Sequence, residues 1–141
     1  MSNLSFGILD PIKLPLVSRL YKAHYSSGKA KKDELTVVAY HEGKLIAVVR
    51  FRSVEQFRLL TGMLVVPEHR EQGIGHKLIE YCQHSVLQHG DFCFAYEHLE
   101  AFYAAHDFKA VEPHQLPNSL KMSFERYVNS GKRLVAMQYQ A

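Results

Sequence analysis

Val65-Val66-Pro67-Glu68-His69-Arg70-Glu71-Gln72-Gly73-Ile74-Gly75-His76-Lys77-Leu78 is the stretch on which the fold turns. An apolar run ends at a proline, a polar turn holds two glycines, and a helical pattern starts near Ile74. Proline takes an N–H out of the ladder, so Pro67 closes a strand. Leu78, Ile79, Cys82 and Val86 then give the helix one apolar face, and Gly90 is its expected C-terminal stop. A strand, a turn and a helix start in this order make an anion site. The first amides of a helix have no partners, and the macrodipole places roughly half a positive charge there. Gly73 and Gly75 leave no side chains in the way of a phosphate. Arg70, His76 and Lys77 add positive charge around the same turn.

Working outward, the chain alternates between helical and strand-like patterns. Upstream, Ile12, Leu16, Val17, Leu20 and His24 fall at helical spacing. The polar stretch 26–34 reads as a solvated loop. Residues 35–40 and 45–52 are β-branched runs joined by Glu42-Gly43, a hairpin, and 57–66 is a third strand. Downstream, 92–96 is a short buried strand and 97–106 a helix carrying Leu99, Phe102 and Tyr103. Pro113 and Pro117 mark an irregular stretch, 120–128 is a further helix ended by Gly131, and 134–139 is a closing strand. Early hairpins and a later crossover helix imply an α/β (α+β) fold: a mixed, largely antiparallel central sheet flanked by helices.

The totals fit one domain over residues 1–141. The chain has 17 Lys+Arg against 14 Asp+Glu, a net charge of +3, with 47% hydrophobic and 22% charged residues. This composition excludes a mainly disordered chain. No apolar run approaches the roughly 20 residues of a membrane span, and Asp10, Pro11, Lys13 and Pro15 break any signal-peptide core. Cys82 and Cys93 form no CxxC and suit a reducing compartment, so a cytoplasmic location is expected. The nine histidines offer no i, i+4 metal clip, so no metal is expected. Lys29, Lys31, Lys32, Lys132 and Arg133 form short separate clusters without interleaved aromatics, which argues against nucleic-acid binding.

Two common phosphate loops fail on this chain. Gly-x4-Gly-Lys-Ser/Thr needs Lys and Ser or Thr after its second glycine, and Gly75 is followed by His76-Lys77-Leu78. The dinucleotide fingerprint Gly-x-Gly-x-x-Gly, started at Gly73, meets Leu78 where its third glycine belongs. Arg70-Glu71-Gln72-Gly73-Ile74-Gly75 does satisfy Arg/Gln-x-x-Gly-x-Gly/Ala, after a strand and before a helix. Here the sequence resembles the GNAT N-acetyltransferase superfamily, whose pyrophosphate loop has this form. Leu99-Glu100-Ala101-Phe102-Tyr103-Ala104-Ala105-His106-Asp107-Phe108 resembles the family's later helix, which usually ends Phe-Tyr-x-x-x-Gly-Phe. The resemblance covers roughly residues 35–110.

The resemblance implies acetyl transfer from acetyl-CoA to an amine of a small molecule or protein, by direct attack in a ternary complex. It places the pantetheine arm on the backbone of Leu64, Val65 and Val66. The pyrophosphate rests on the loop Arg70, Glu71, Gln72, Gly73, Ile74, Gly75, His76 and Lys77, through the amides of Gln72 to His76. Tyr103 matches the tyrosine near the sulfur and is the expected general acid. The base is open: 57–66 contains no acid, leaving Glu97, His98 or a water relay. Tyr96 stands where many members carry Asn, and Asp107 where the glycine of the later motif is usual. The helix 120–128 is an addition that walls the acceptor pocket or covers the sheet. Tyr21, Tyr25 and Tyr40 are acceptor-side candidates, and homodimers are common in the family. A non-catalytic acyl-CoA sensor is the alternative, and the presence of Tyr103 speaks for the enzyme.

Overall fold

The computed structural model describes residues 3–24 and 30–141. Tyr25 and the 26–29 part of the polar stretch, Lys29 included, lie outside the described residues. Among the described residues, seven strands form a mixed sheet in the order β1-β2-β3-β4-β5-β7-β6, accompanied by four α-helices. The chain divides into two compact units, Met1–Arg52 with Thr61–Ser85 and Ser53–Leu60 with Val86–Ala141.

The first unit opens with β1 (Leu4–Ile8), antiparallel to β2 (Leu35–His41) from Leu4↔His41 to Ile8↔Val37. Between them runs α1 (Leu14–His24), entered through a 3-10 turn at Pro11–Lys13. Asp10 caps that turn by accepting from the Ile12 amide at 3.1 Å, and Pro11 supplies a preset φ. β2 pairs with β3 (Lys44–Val54) through Glu42 and Gly43, both left-handed at φ 51 and 77, as a two-residue hairpin turn requires. The later part of β4 (Phe57–Val65) and α2 (Ile74–Ser85) complete the unit.

Burial explains which helix faces matter. Val17 and Tyr21, four apart, carry α1 into a core with Leu9, Val38, Val48 and Leu64. The stripe expected from Ile12 and Leu16 is instead exposed, at 81% and 42%. The spacing was helical, but the Val17–Tyr21 edge of the stripe is the one that meets the sheet. α2 buries Ile74, Leu78, Ile79 and Cys82 as its pattern demands. It ends at Ser85, so Gly90 is not its stop. That glycine sits in a later turn at φ 98, donating its amide to the Tyr139 carbonyl at 2.8 Å.

The second unit holds β5 (Phe92–Tyr96), α3 (Glu100–Ala104), β6 (Phe108–Ala110), α4 (Asn118–Asn129) and β7 (Leu134–Tyr139). β7 pairs antiparallel with β5 on one side and β6 on the other. The first residues of β4 join this unit, Leu59 and Leu60 pairing in parallel with Phe92 and Cys93. Arg58 locks that start: Nη2 donates to Asp91 Oδ2 at 2.6 Å and to the Val86 carbonyl at 2.6 Å. Leu120 and Phe124 of α4 enter a core with Leu59, Phe92, Leu116 and Ala136. The added helix therefore covers the sheet of its unit. The helix expected over 97–106 is two pieces, a 3-10 turn at Glu97–Leu99 and the five residues of α3.

Gly62 is the conformational exception inside β4, at φ 66. A left-handed residue in a strand turns its neighbouring peptides away from the ladder, and glycine adopts it without a Cβ penalty. Its carbonyl accepts from Tyr21 Oη at 2.6 Å. A Cβ there would lie 2.6 Å from that hydroxyl and 2.7 Å from Arg50 Nε. Gly62→Ala is expected to cost about 2 kcal/mol or more in urea unfolding, combining left-handed strain with displaced polar groups. A loss below about 0.5 kcal/mol would mean that the strand relaxes without it.

Candidate active site

The strand end, turn and helix start all lie in the first unit. After β4 the chain makes a 3-10 turn at Pro67–His69, then a turn through residues 70–73 into α2. Two residues set the path, Glu71 at φ 62 and Gly73 at φ 77. A Cβ on Gly73 would meet nothing within 4 Å, so its demand is conformational, and the space above it is open. The Gly73 carbonyl accepts from Lys77 N at 3.0 Å, the first rung of the α2 ladder. Helix geometry directs the amides before that rung outward from the helix start.

The side chains around the turn have divided tasks. Arg70 Nε donates to the Val65 carbonyl at 2.9 Å, tying turn to strand, and Gln72 Nε2 donates to the Glu68 carbonyl at 3.3 Å. His76 and Lys77 are exposed at the helix start. His69 is half-buried, its ring edge-on to His41 at 5.4 Å. The strand-end backbone is partly committed. Val66 donates to the Ile46 carbonyl at 2.9 Å and accepts from His69 N at 3.0 Å. Of the three residues expected to hold a pantetheine arm, Val66 thus already pairs through both backbone groups.

Tyr103, Glu97 and His98 belong to the second unit. Tyr103 is 5% exposed on α3, its ring edge-on to Phe102 at 5.0 Å and to Phe108 at 5.6 Å. The helix is followed by Asp107 at φ 68, so aspartate takes the left-handed position where glycine is usual. Glu97 and His98 are exposed. Glu97 Oε1 lies 3.9 Å from Arg133 Nε, and the His98 ring stacks on Tyr96 at 5.9 Å. An open cavity of about 450 Å³ is lined by Tyr96, Glu97, His98, Gly131, Lys132 and Arg133.

Among the described residues, no group of three or more His, Cys, Asp or Glu is placed to share a metal ion. No described helix is long and apolar enough to cross a membrane. One feature escaped motif reading: Tyr21, Glu34, Arg50 and Gly62, buried together in the first unit. Two signals pointed to it, an arginine inside the apolar run 45–51 and a glycine inside a strand pattern.

A strand closed by proline, a left-handed turn and a helix start follow one another in the first unit. The family model of the GNAT acetyltransferase domain matches residues 32–110, and the chain belongs to this family. No curated protein matches it in sequence. Its fold is shared with several solved structures. N-acetylglutamate synthase from Neisseria gonorrhoeae, complexed with coenzyme A and N-acetyl-glutamate, superposes with TM-score 0.68 at 12% identity. That match covers 100% of this chain and 36% of the synthase, so the chain spans about a third of its length. The ribosomal-protein-S18-alanine N-acetyltransferase from Escherichia coli gives TM-score 0.66 at 14% identity, over 98% of this chain and 95% of that one. An acyl-CoA N-acyltransferase from Pseudomonas aeruginosa gives 0.69 at 19%, over 98% and 99%.

Cys82 and Cys93 are both buried, and burial pushes the Cys93 thiol far up from its ordinary value. The reactive form of a thiol is its thiolate, so neither cysteine is expected to react in the folded state. A disulfide reagent at neutral pH should therefore label the native protein negligibly and the urea-unfolded protein at both positions. Rapid native labelling would contradict this burial.

Proposed function

We propose that the chain transfers the acetyl group of acetyl-CoA to a primary amine, of a small molecule or a protein, by direct attack within a ternary complex. The observation that carries this reading is the helix start of α2, reached through left-handed Glu71 and Gly73 and open above Gly73. A diphosphate needs several N–H donors converging from one side, and this turn supplies the amides of Gln72, Gly73, Ile74, Gly75 and His76. Lys77 and Arg70 add charge. Glu71 contributes its conformation, its carboxylate being exposed to solvent. Leu64 and Val65 are the backbone partners for the pantetheine arm, while Val66, already paired, anchors the strand end. Coenzyme A bound to the structurally similar N. gonorrhoeae synthase supports the same cofactor here.

The chemistry divides among few groups. The amine must lose a proton, the thioester carbonyl must be polarised, and the departing thiolate must gain a proton. Tyr103 serves as the acid, its phenol donating to the thiolate. Glu97 and His98, exposed beside each other, or water take the proton of the amine. The burial of both cysteines, which suits neither to carry an acyl group, supports direct attack.

Acetyl-CoA is expected to raise the melting temperature by several degrees, since a ligand at about 100 times its Kd adds roughly 2.7 kcal/mol to stability. No shift at millimolar acetyl-CoA would overturn the cofactor assignment. Gly73→Val, which forces a β-branched residue to positive φ, should abolish that shift. The acceptor is to be found by an amine panel read through thiol release. With an active amine, Tyr103→Phe should lower turnover by roughly a hundredfold or more and leave the affinity for CoA unchanged. An undiminished rate would remove its role as acid.

A further inference from the structure

The buried polar cluster of the first unit is not part of the anion loop, yet it grips the strand that leads to it. Arg50 and Glu34 form an ion pair at 2.8 Å, their side chains 8% and 3% exposed. Arg50 Nε also donates to Tyr21 Oη at 3.2 Å, and its guanidinium lies 5.0 Å from the Tyr21 ring centre. The same hydroxyl donates to the Gly62 carbonyl at 2.6 Å. The result is a line of polar groups: carboxylate, guanidinium, phenol, peptide. Glu34 Oε1 is further held by the Lys31 amide at 3.0 Å, so the line is anchored at its far end.

Such a line is costly to bury and gains most when every member is satisfied. An apolar side chain at position 50 would pack without an ion to desolvate. What it could not do is polarise the phenol. A hydroxyl that accepts from a guanidinium becomes a stronger donor, and a carbonyl that accepts from it polarises its own peptide. That peptide joins Gly62 to Met63, immediately before Leu64 and Val65. Its orientation is fixed by the left-handed Gly62, which Tyr21 and Arg50 press so closely that no Cβ fits.

We propose that Tyr21 and Arg50, backed by Glu34, are positioning residues for acyl transfer: they fix and polarise the Gly62–Met63 peptide and so aim the β4 backbone at the thioester end of the bound cofactor. This rests on the acetyl-CoA reading above. The loop at Gly73 supplies affinity through the pyrophosphate, whereas the Gly62 step acts where the acyl group reacts. Losing the Tyr21 hydroxyl therefore affects the rate more than the binding.

The test uses the full chain as wild type, Tyr21→Phe, Arg50→Lys and the double variant. Tyr21→Phe keeps the ring and removes the hydroxyl, with its hydrogen bonds to Gly62 and Arg50. Arg50→Lys keeps a cation for Glu34 and removes the Nε donor. Each protein is measured for acetyl-CoA affinity by calorimetry, for turnover with an amine active in the panel, and for the Met63 amide resonance with and without acetyl-CoA. Tyr21→Phe is expected to lower kcat by roughly ten- to a hundredfold with KM for acetyl-CoA within about threefold, as when only a transition-state interaction is lost. Arg50→Lys should follow in the same direction, and the double variant should lose little more than Tyr21→Phe, because the two act in series. Acetyl-CoA should move the Met63 resonance in wild type and much less in Tyr21→Phe.

An unchanged kcat with only a lower melting temperature would overturn the proposal, as would losses that multiply in the double variant. If no amine in the panel is active, the Met63 response decides, and an equal response in wild type and Tyr21→Phe overturns it. Should Tyr21→Phe fail to fold, Arg50→Lys is held to the same kcat, KM and Met63 criteria. Wild type that fails to bind acetyl-CoA overturns the underlying reading. Wild type that binds and turns over beside indifferent variants overturns this inference alone.

Discussion

One carbonyl organises the first unit. Gly62 turns left-handed in the middle of β4, and its oxygen must find a donor away from the regular ladder. Tyr21 supplies it from α1, four residues beyond Val17, so the helix is placed by a hydrogen bond as well as by packing. Arg50 reaches the same hydroxyl from β3, and Glu34 neutralises Arg50 from the edge of β2. Helix, hairpin and strand thus meet at the Tyr21 hydroxyl. The decisive inward residue of α1 is therefore a tyrosine used for its oxygen.

The turn that enters α2 is built on the opposite principle. Where Gly62 is crowded by polar side chains, Gly73 has nothing near its missing Cβ. Both are left-handed, yet one glycine makes room for an internal contact and the other keeps a space open to solvent. Arg70 uses its Nε to close the turn on Val65, leaving Lys77 and His76 exposed at the helix start. Charge and backbone therefore work at different ranges. Attraction by an exposed charge is long-ranged and weakened by salt, whereas a backbone amide acts only at contact distance.

Much of this was legible in the residues because local rules and burial agreed. The run 92–96 became β5 and the turn Glu42-Gly43 took positive φ at both positions. The strand, glycine turn and helix of the anion loop also stand where the pattern set them. Two strands were not anticipated. β1 alternates Leu4, Phe6 and Ile8 with Ser5 and Gly7, but over five residues only, and β6 has three residues, too few for any period to show. Both exist through their pairing partners, β2 and β7, which no local window contains. Gly90 misled as a helix stop because glycine marks left-handed turns in general, and this turn precedes β5. Residue roles were the least legible. Nothing in the spacing of Tyr21, Glu34, Arg50 and Gly62 announces that they meet, since they come from four separate segments.

The two ends of the strand order are unequally defended. β6 is three residues long and carries Lys109, a short charged border that offers little to an incoming strand. β1 is five residues, Leu4–Ile8, without a charge or a proline, and Ile8 is 54% exposed. Its outer side has the length and character of a template for intermolecular pairing. A lysine at Ser5, exposed and on the outermost strand, is the natural place to improve the shelf life of the protein without touching either glycine.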